Sequence, residues 1–132
     1  MEGYLAVVSK REVRDYADRP LPDDVLERIL QAGRVTGSSQ NRQPWEFYVV
    51  TDRARLDALS EAVFSPDNLR RCAAAVAIVV PSPNQAFDAG RVAQNMMVAA
   101  WALGVGSCPN GARDMARARE VLEGPAGQHI AT

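Results

Sequence analysis

The sequence is poor in the residues that most often carry catalysis or bind metal. It has one histidine, His129, close to its end, and two cysteines, Cys72 and Cys108, that are far apart and form no CxxC motif. This set predicts no metal site and no Ser–His or Cys–His pair. We therefore expect a reduced, cytoplasmic protein whose reactivity, if it is an enzyme, comes from a bound organic cofactor.

An excess of charge and long apolar runs are also missing. The formal net charge is −1, which gives no electrostatic reason to expect nucleic acid or an anionic membrane as a partner. No apolar run approaches the length of a membrane span, and the N-terminus lacks a signal-peptide pattern. With 132 residues, 47% of them hydrophobic, the chain has the size and composition of one globular domain, residues 1–132.

The familiar glycine and serine motifs are absent as well. Gly104, Gly106 and Gly111 match neither the dinucleotide-binding fingerprint nor a Walker A loop, since the spacing differs and no lysine follows. Ser38 and Ser39 stand in Gly-Ser-Ser-Gln, which is not a nucleophile elbow. The sequence therefore predicts no hydrolase and no nucleotide fold of these types.

A polar stretch over residues 38–47 is the most unusual feature that is present. It contains hydroxyls, three side-chain amides and a guanidinium, and it leads directly into an apolar strand. Such groups need hydrogen-bond partners when they are buried, although composition alone also allows a plain surface turn. Pro44 and Trp45, which would fix the backbone and anchor it to the core, favour a loop that grips a flat, hydrogen-bonding ligand.

A basic segment, residues 10–16, lies near the N-terminus. Lys10, Arg11 and Arg14 are three cations within five positions, interrupted by Glu12 and followed by Asp15. The mixed signs allow a solvated charge run. The alternative is an anion clamp, in which guanidinium groups hold a phosphate with paired hydrogen bonds.

Hydrophobic periodicity predicts alternating helices and strands. We expect helices over residues 2–9, from Asp23 to just before Thr36, after a cap at Asp52, and over 87–103 and 114–122. Strands are expected over 46–51, over 73–80 with apolar cover on both faces, and from His129 onward. Residues 65–68 should break the third helix. The helix over 87–103 is apolar nearly all round, which fits either cover by a second subunit or the central helix of a monomer.

Together these segments resemble the FMN-dependent nitroreductase family. The resemblance rests on the basic segment, on Ser38-Ser39-Gln40-Asn41-Arg42-Gln43-Pro44-Trp45, and on the later Asp88–Asn95 and Ala102–Cys108, and it spans about residues 5–125. It implies an α+β sandwich, with a mainly antiparallel central sheet flanked by helices, assembled as an intimate homodimer with FMN at the interface. It also implies ping-pong hydride transfer from NADH or NADPH, through flavin N5, to a nitroaromatic, quinone or related electron-poor acceptor.

The resemblance assigns flavin-binding roles by position. The cations would hold the FMN phosphate and the polar ring edge. The serines and Asn41 would come from the partner subunit, and Gln43 and Trp45 would brace their loop. Residues 108–111 would lie beside the isoalloxazine, where Gly111 lets the backbone approach N5. The implied cofactor-binding residues are Lys10, Arg11, Arg14, Ser38, Ser39, Asn41, Gln43, Pro109, Asn110 and Gly111.

Two departures from the family qualify this interpretation. Glu12 stands where relatives have a small hydroxyl residue, and its carboxylate would repel phosphate unless it turns away or pairs with Arg11 or Arg14. The sequence also stops where relatives continue through another strand and a tail, so it is either truncated or binds flavin with fewer contacts. The alternative to a flavin oxidoreductase is a non-catalytic flavin-binding or structural dimer. The sequence identifies neither the substrate nor the choice between NADH and NADPH.

Overall fold

Helices and three short strands alternate along the chain. The computed structural model describes residues 1–124 and 126–132. Within these residues the strands are β1 (Glu46–Val50), β2 (Ala75–Val80) and β3 (His129–Ile130). The helices are α1 (Gly3–Ser9), α2 (Asp23–Arg34), α3 (Arg53–Ser60), α4 (Pro66–Arg71), α5 (Ala86–Ala102) and α6 (Met115–Leu122), with single 3-10 turns at Ser39–Asn41 and Pro83–Gln85.

The strands form one antiparallel sheet in the order β1–β2–β3. The register of the first pair places Glu46 opposite Val79 and Val50 opposite Ala75. In the second pair, Val79 lies opposite Ile130. Because β2 is central and consists entirely of alanine, valine and isoleucine, both of its faces can be covered by apolar groups.

Successive residues of β2 enter two different hydrophobic clusters. Ala77 and Val79 pack with α3, α4 and α6, whereas Ile78 and Val80 pack with α2 and α5. This alternation follows from the two-residue period of a strand. The result is a sheet sandwiched between two layers of helices, which confirms the predicted α+β architecture and the predicted cover on both faces of the second strand.

Caps and breakers place the helix ends close to the predicted positions. Asp52 accepts a hydrogen bond from the backbone N–H of Arg55 at 2.9 Å and begins α3, and Asp114 does the same for Arg117 at 3.0 Å and begins α6. Pro22 precedes α2, which carries two acids in its first turn. The helix predictions at these positions are confirmed.

The segment predicted only to break a helix forms one of its own. Helix α3 already ends at Ser60, and α4 starts at Pro66, where a missing N–H costs nothing because the first helical turn has no intrahelical partner for it. The second strand starts at Ala75, two residues later than predicted.

Helix α5 lies between the sheet and α1, with α2 beside it. Trp101 near its end donates from Nε1 to the Ser9 hydroxyl at 2.9 Å, which ties α1 to α5. The inner face of α5 buries Ala89, Val92, Met96 and Ala100, while Phe87 near its start is 78% exposed. No described helix is both long enough and apolar enough to cross a lipid bilayer.

Candidate functional site

The basic segment lies alongside the loop that follows α5. Val13 donates its backbone N–H to the Ser107 carbonyl at 2.9 Å, and Glu12 forms a parallel bridge with Ser107. The approach is close, because a Cβ placed on Gly106 would lie 2.9 Å from Cβ of Val13. Glycine at 106 is therefore needed for this contact. The structure thus brings Glu12 and Val13 of the basic segment against Gly106 and Ser107 of the same chain.

Lys10 is the most buried of the three cations. Its side chain is 6% exposed, and its ammonium group forms an ion pair with the Glu12 carboxylate. The same Nζ lies 3.7 Å from Sδ of Met97 on α5. Of the two predicted alternatives for Glu12, turning away or pairing with Arg11 or Arg14, neither describes its ion pair, because its partner is Lys10.

The two arginines of the segment are exposed and differ in what they contact. Arg11 donates from Nη1 to the carbonyls of Val8 at 3.1 Å and Lys10 at 2.9 Å, so it satisfies carbonyls at the end of α1. Arg14 makes no hydrogen bond or ion pair with the residues that the structure describes. Of the three predicted phosphate-binding cations, Arg14 therefore has the most donors available for a ligand.

Tyr16 lies at the far end of the basic segment. Burial raises the pKa of its phenol to about 12, and repulsion from the nearby Cys108 and Cys72 sulfurs adds to this shift. Burial also raises the pKa of the Cys72 thiol. Tyr16 is thus a neutral phenol at physiological pH, able to donate a hydrogen bond but unable to act as a base.

The Asn110 side chain forms hydrogen bonds to the backbone of Ser65. Its Oδ1 accepts from the backbone N–H of Ser65 at 3.1 Å, and its Nδ2 donates to the Ser65 carbonyl at 2.9 Å. The Thr132 hydroxyl donates to the Asn110 carbonyl at 2.9 Å. Both ends of the amide are therefore engaged, whereas the neighbouring Pro109 is exposed.

The position of Phe64 explains why residue 111 is a glycine, and the sequence did not suggest this explanation. Phe64 donates its backbone N–H to the Gly111 carbonyl at 3.0 Å, and a Cβ on Gly111 would lie 3.0 Å from Cδ2 of the Phe64 ring. The ring itself is 68% exposed. In the protomer, the absent side chain of Gly111 leaves room for Phe64, and the predicted approach to a flavin ring stays a prediction.

The polar loop of residues 38–43 adopts a tight and strained conformation. Gln40, Asn41 and Gln43 have φ values of 54°, 53° and 48°. Left-handed backbone is uncommon outside glycine and asparagine and costs of order 1–3 kcal/mol for a strained residue. Such strain requires compensating contacts, and it is concentrated here in the stretch that the sequence marked as unusual.

The compensating contacts are within the loop and to the end of α2. The backbone N–H of Gln43 donates to the Ser38 hydroxyl at 2.8 Å, and its Nε2 lies 3.5 Å from the Arg34 carbonyl. Trp45 packs, half-buried, against the cluster of α2 and α5, which confirms its predicted anchoring role. Ser39 and Asn41 are exposed, and their side chains make no hydrogen bond with described residues.

The polar loop and the basic segment are not joined within the protomer. Among the described residues, no hydrogen bond or ion pair links residues 38–43 to residues 10–14 or 108–111. The loop instead neighbours α5, since a Cβ on Gly37 would lie 3.0 Å from Nη2 of Arg91. The assignment of the loop to a partner subunit's cofactor stays a prediction.

An open groove runs along the outer face of α5. Its volume is about 530 Å³, and its lining residues are Ala86, Phe87, Gly90, Arg91, Gln94 and Asn95. Arg91 lies over the Phe87 ring, 5.7 Å from its centroid. Asn95 donates to the Thr36 hydroxyl at 2.9 Å, so it pairs inside the protomer.

Sequence reasoning missed several contacts at this site. Ser65 was predicted only as part of a helix break over residues 65–68, Phe64 was given no role, and Met97 was only one of many apolar residues. The pairing of Met97 with Lys10 had no sequence signal, since the two are 87 positions apart.

The fold is shared with solved flavoprotein structures. An FMN-dependent nitroreductase from Clostridium difficile superposes with a TM-score of 0.86 at 26% identity, over 98% of this chain and 82% of that one. A nitroreductase, provisionally so named, in complex with FMN from Desulfovibrio desulfuricans gives a TM-score of 0.75 at 27% identity, over 80% and 66% of the two chains. The class defined by the fold is thus the nitroreductase sandwich.

Sequence comparison gives the same answer. The sequence model of the Nitroreductase family matches residues 7–77 and 67–131, and the chain belongs to that family. A protein of Archaeoglobus fulgidus, provisionally named NADH dehydrogenase/NAD(P)H nitroreductase, is 34% identical over 115 residues, which cover 81% of this chain. The match covers 66% of that relative's length and 59% of a second archaeal relative's.

Proposed function

We propose that the chain is an FMN-dependent oxidoreductase that takes a hydride from NADH or NADPH and passes it to a nitroaromatic, a quinone or a related electron-poor acceptor. The observation that carries this proposal is the packing of the basic segment against Gly106 and Ser107, directly before the residues 108–111 that the family resemblance assigns to the flavin ring. The Arg14 guanidinium of this segment is exposed and makes no hydrogen bond or ion pair with the described residues.

The available groups fit FMN chemically. A phosphate needs cations and N–H or O–H donors, which Arg14 and the Ser39 hydroxyl offer. The flavin ring edge needs donors and acceptors in one plane, and the Asn41 amide carries both. Arg11 and Asn110 already have protein partners, so their proposed flavin contacts would have to be made in addition to, or instead of, those bonds.

When bound, FMN supplies a two-electron carrier that accepts a hydride and gives it up again. The protein's part is binding and electrostatics. Cations of the basic segment would offset negative charge on the reduced cofactor, and the neutral Tyr16 phenol can donate a hydrogen bond nearby. A hydride carried by the flavin requires no side-chain acid or base. We also propose that NAD(P)H and the acceptor use one site in turn.

We further propose a homodimer formed through α1 and α5. Exposed apolar side chains gather on α1, which contacts α5, and a face of this kind on a small domain favours a protein partner. The residues are Tyr4, Leu5, Val7 and Val8, and Phe87 is a further exposed apolar residue at the start of α5. A Leu5→Glu variant should sediment as a monomer, whereas Val35→Glu, on an exposed site at the end of α2, should sediment as the parent does.

The test of the function is an anaerobic absorbance spectrum before and after addition of NADPH or NADH. An oxidised-flavin spectrum should bleach on addition of the reductant and return when a nitroaromatic or a quinone is added. A bound flavin that neither nucleotide reduces would point to the non-catalytic alternative. A colourless protein that also fails to take up added FMN would refute the proposal while leaving the fold intact.

A further inference from the structure

The two side chains of the Lys10–Glu12 ion pair differ in their exposure to solvent. The Lys10 side chain is 6% exposed, whereas that of Glu12 is 40% exposed. A buried ammonium group without an opposite charge is strongly unfavourable, because it has lost its hydration. Glu12 is therefore the group that makes a buried Lys10 tolerable.

The two partners also differ in their freedom to move. Lys10 is held between the end of α1 and α5, where its Nζ lies 3.7 Å from Sδ of Met97. The backbone at Glu12 is fixed by the bridge to Ser107, but its side chain reaches solvent. An arriving anion can thus take the place of the carboxylate by rotation of the Glu12 side chain alone, with Lys10 staying where it is.

We propose that Glu12 is a resident counter-ion of Lys10 that an anionic ligand displaces, so that Glu12 weakens the binding of that ligand. In this arrangement the carboxylate stabilises the empty site and competes for the same ammonium group. The inference deepens the proposed function, on which it rests for the identity of the anion: a phosphate or an electron-rich oxygen at the edge of the flavin ring.

The experiment compares Glu12→Gln with Asp15→Asn. Both changes remove one negative charge from the basic segment, but Asp15 forms no ion pair with described residues. Titration with FMN, followed by flavin fluorescence, should show about tenfold tighter binding for Glu12→Gln, the size expected for removing one nearby like charge. Asp15→Asn should change the affinity by less than about twofold, since exposed charges at a distance are screened.

The role of Lys10 is tested by a double-mutant cycle. In a Lys10→Met background, Glu12→Gln should strengthen FMN binding much less than in the parent, because the carboxylate then has no ammonium group for which to compete and only its direct repulsion of the anion remains. Riboflavin, which lacks the phosphate, separates the two sources of the anion. A gain for FMN alone assigns the displaced contact to phosphate, and an equal gain for riboflavin assigns it to the ring edge.

Thermal unfolding without flavin gives an independent measurement. Glu12→Gln should lower Tm relative to Asp15→Asn, since Lys10 is left unpaired, and inorganic phosphate should raise Tm more in Glu12→Gln than in the parent. Unchanged FMN affinity together with an unchanged response to phosphate would overturn the counter-ion proposal. If no variant binds FMN, the proposed function fails, and the phosphate response alone then decides the role of Glu12.

Discussion

Replacing Gly33 by alanine tests how tightly α2 packs against α5 and β1. Gly33 is buried in the last turns of α2. A Cβ at this position would lie 2.7 Å from Sδ of Met96 and 2.9 Å from Cζ of Phe47, and both distances are shorter than real side chains allow. Because Phe47 belongs to the strand that follows the polar loop, a shift there would also disturb the candidate site.

Two opposing effects determine how much Gly33→Ala changes the free energy of unfolding. Alanine is favoured over glycine within a helix by about 1 kcal/mol, which alone would stabilise the variant. Forcing an extra methyl group into a packed core costs typically 1–3 kcal/mol. Met96 is flexible but only 5% exposed, so it cannot move into solvent, and the Phe47 ring limits movement in the other direction. The cost should therefore lie in the upper part of its range, about 2–3 kcal/mol, and after the helix gain of about 1 kcal/mol we expect a net loss of about 1–2 kcal/mol in the free energy of unfolding.

Urea unfolding measures the effect, with Gly90→Ala as the control. Gly90 is also a helical glycine, but a Cβ there would meet nothing within 4 Å, so that variant should gain up to about 1 kcal/mol. Gly90 lies on the exposed face of α5, where a second copy of the chain could bind. Both variants are therefore unfolded at several protein concentrations, because association would make the measured stability depend on concentration. A Gly33→Ala protein at least as stable as its parent would refute the close contact between these elements.

Three further measurements test the site. Arg14→Ala should weaken FMN binding by roughly 1.5–3 kcal/mol in a fluorescence titration, the scale of a charged hydrogen bond, while Arg19→Ala should not change it. Asn110→Ala should lower the free energy of unfolding in urea by about 1–2 kcal/mol, because the Ser65 N–H loses its partner and the Ser65 carbonyl keeps only the N–H of Asn68. No loss would show that water replaces the amide. Tyr16 should ionise near pH 12 in an alkaline absorbance titration. Since its pKa is raised from 10.0, the stability it contributes is complete below pH 10 and is lost as the pH rises towards 12.

Local signals predicted most of the fold. Asp52 was recognisable as a cap because a cap acts within three residues of itself, and the unbroken apolar run of β2 predicted cover on both faces. Helix α4 was missed because Pro66 reads equally as a breaker and as a first-turn residue. The choice between these depends on what the following turn packs against, here Leu69 in the core.

The candidate site was harder to predict because its decisive contacts are not local. The Asn110–Ser65 pairing joins residues 45 positions apart, and no periodicity encodes it. The Lys10–Glu12 pair, in contrast, followed a rule that was available. In an extended segment side chains alternate, so residues two apart share a face, and Glu12 could reach Lys10 more directly than Arg11. Charge composition alone does not reveal which of these side chains share a face.

Strain and hydrogen bonding in the polar loop together explain why the sequence is so unusual there. Three non-glycine residues in left-handed backbone would not persist unless other contacts compensated for them. The Ser38 hydroxyl supplies one such contact and the packing of Trp45 another. These contacts hold Ser39 and Asn41 outward with their polar groups exposed. A loop in which several residues act as anchors while Ser39 and Asn41 stay exposed fits the proposed binding role better than it fits a plain surface turn, which requires fewer anchors.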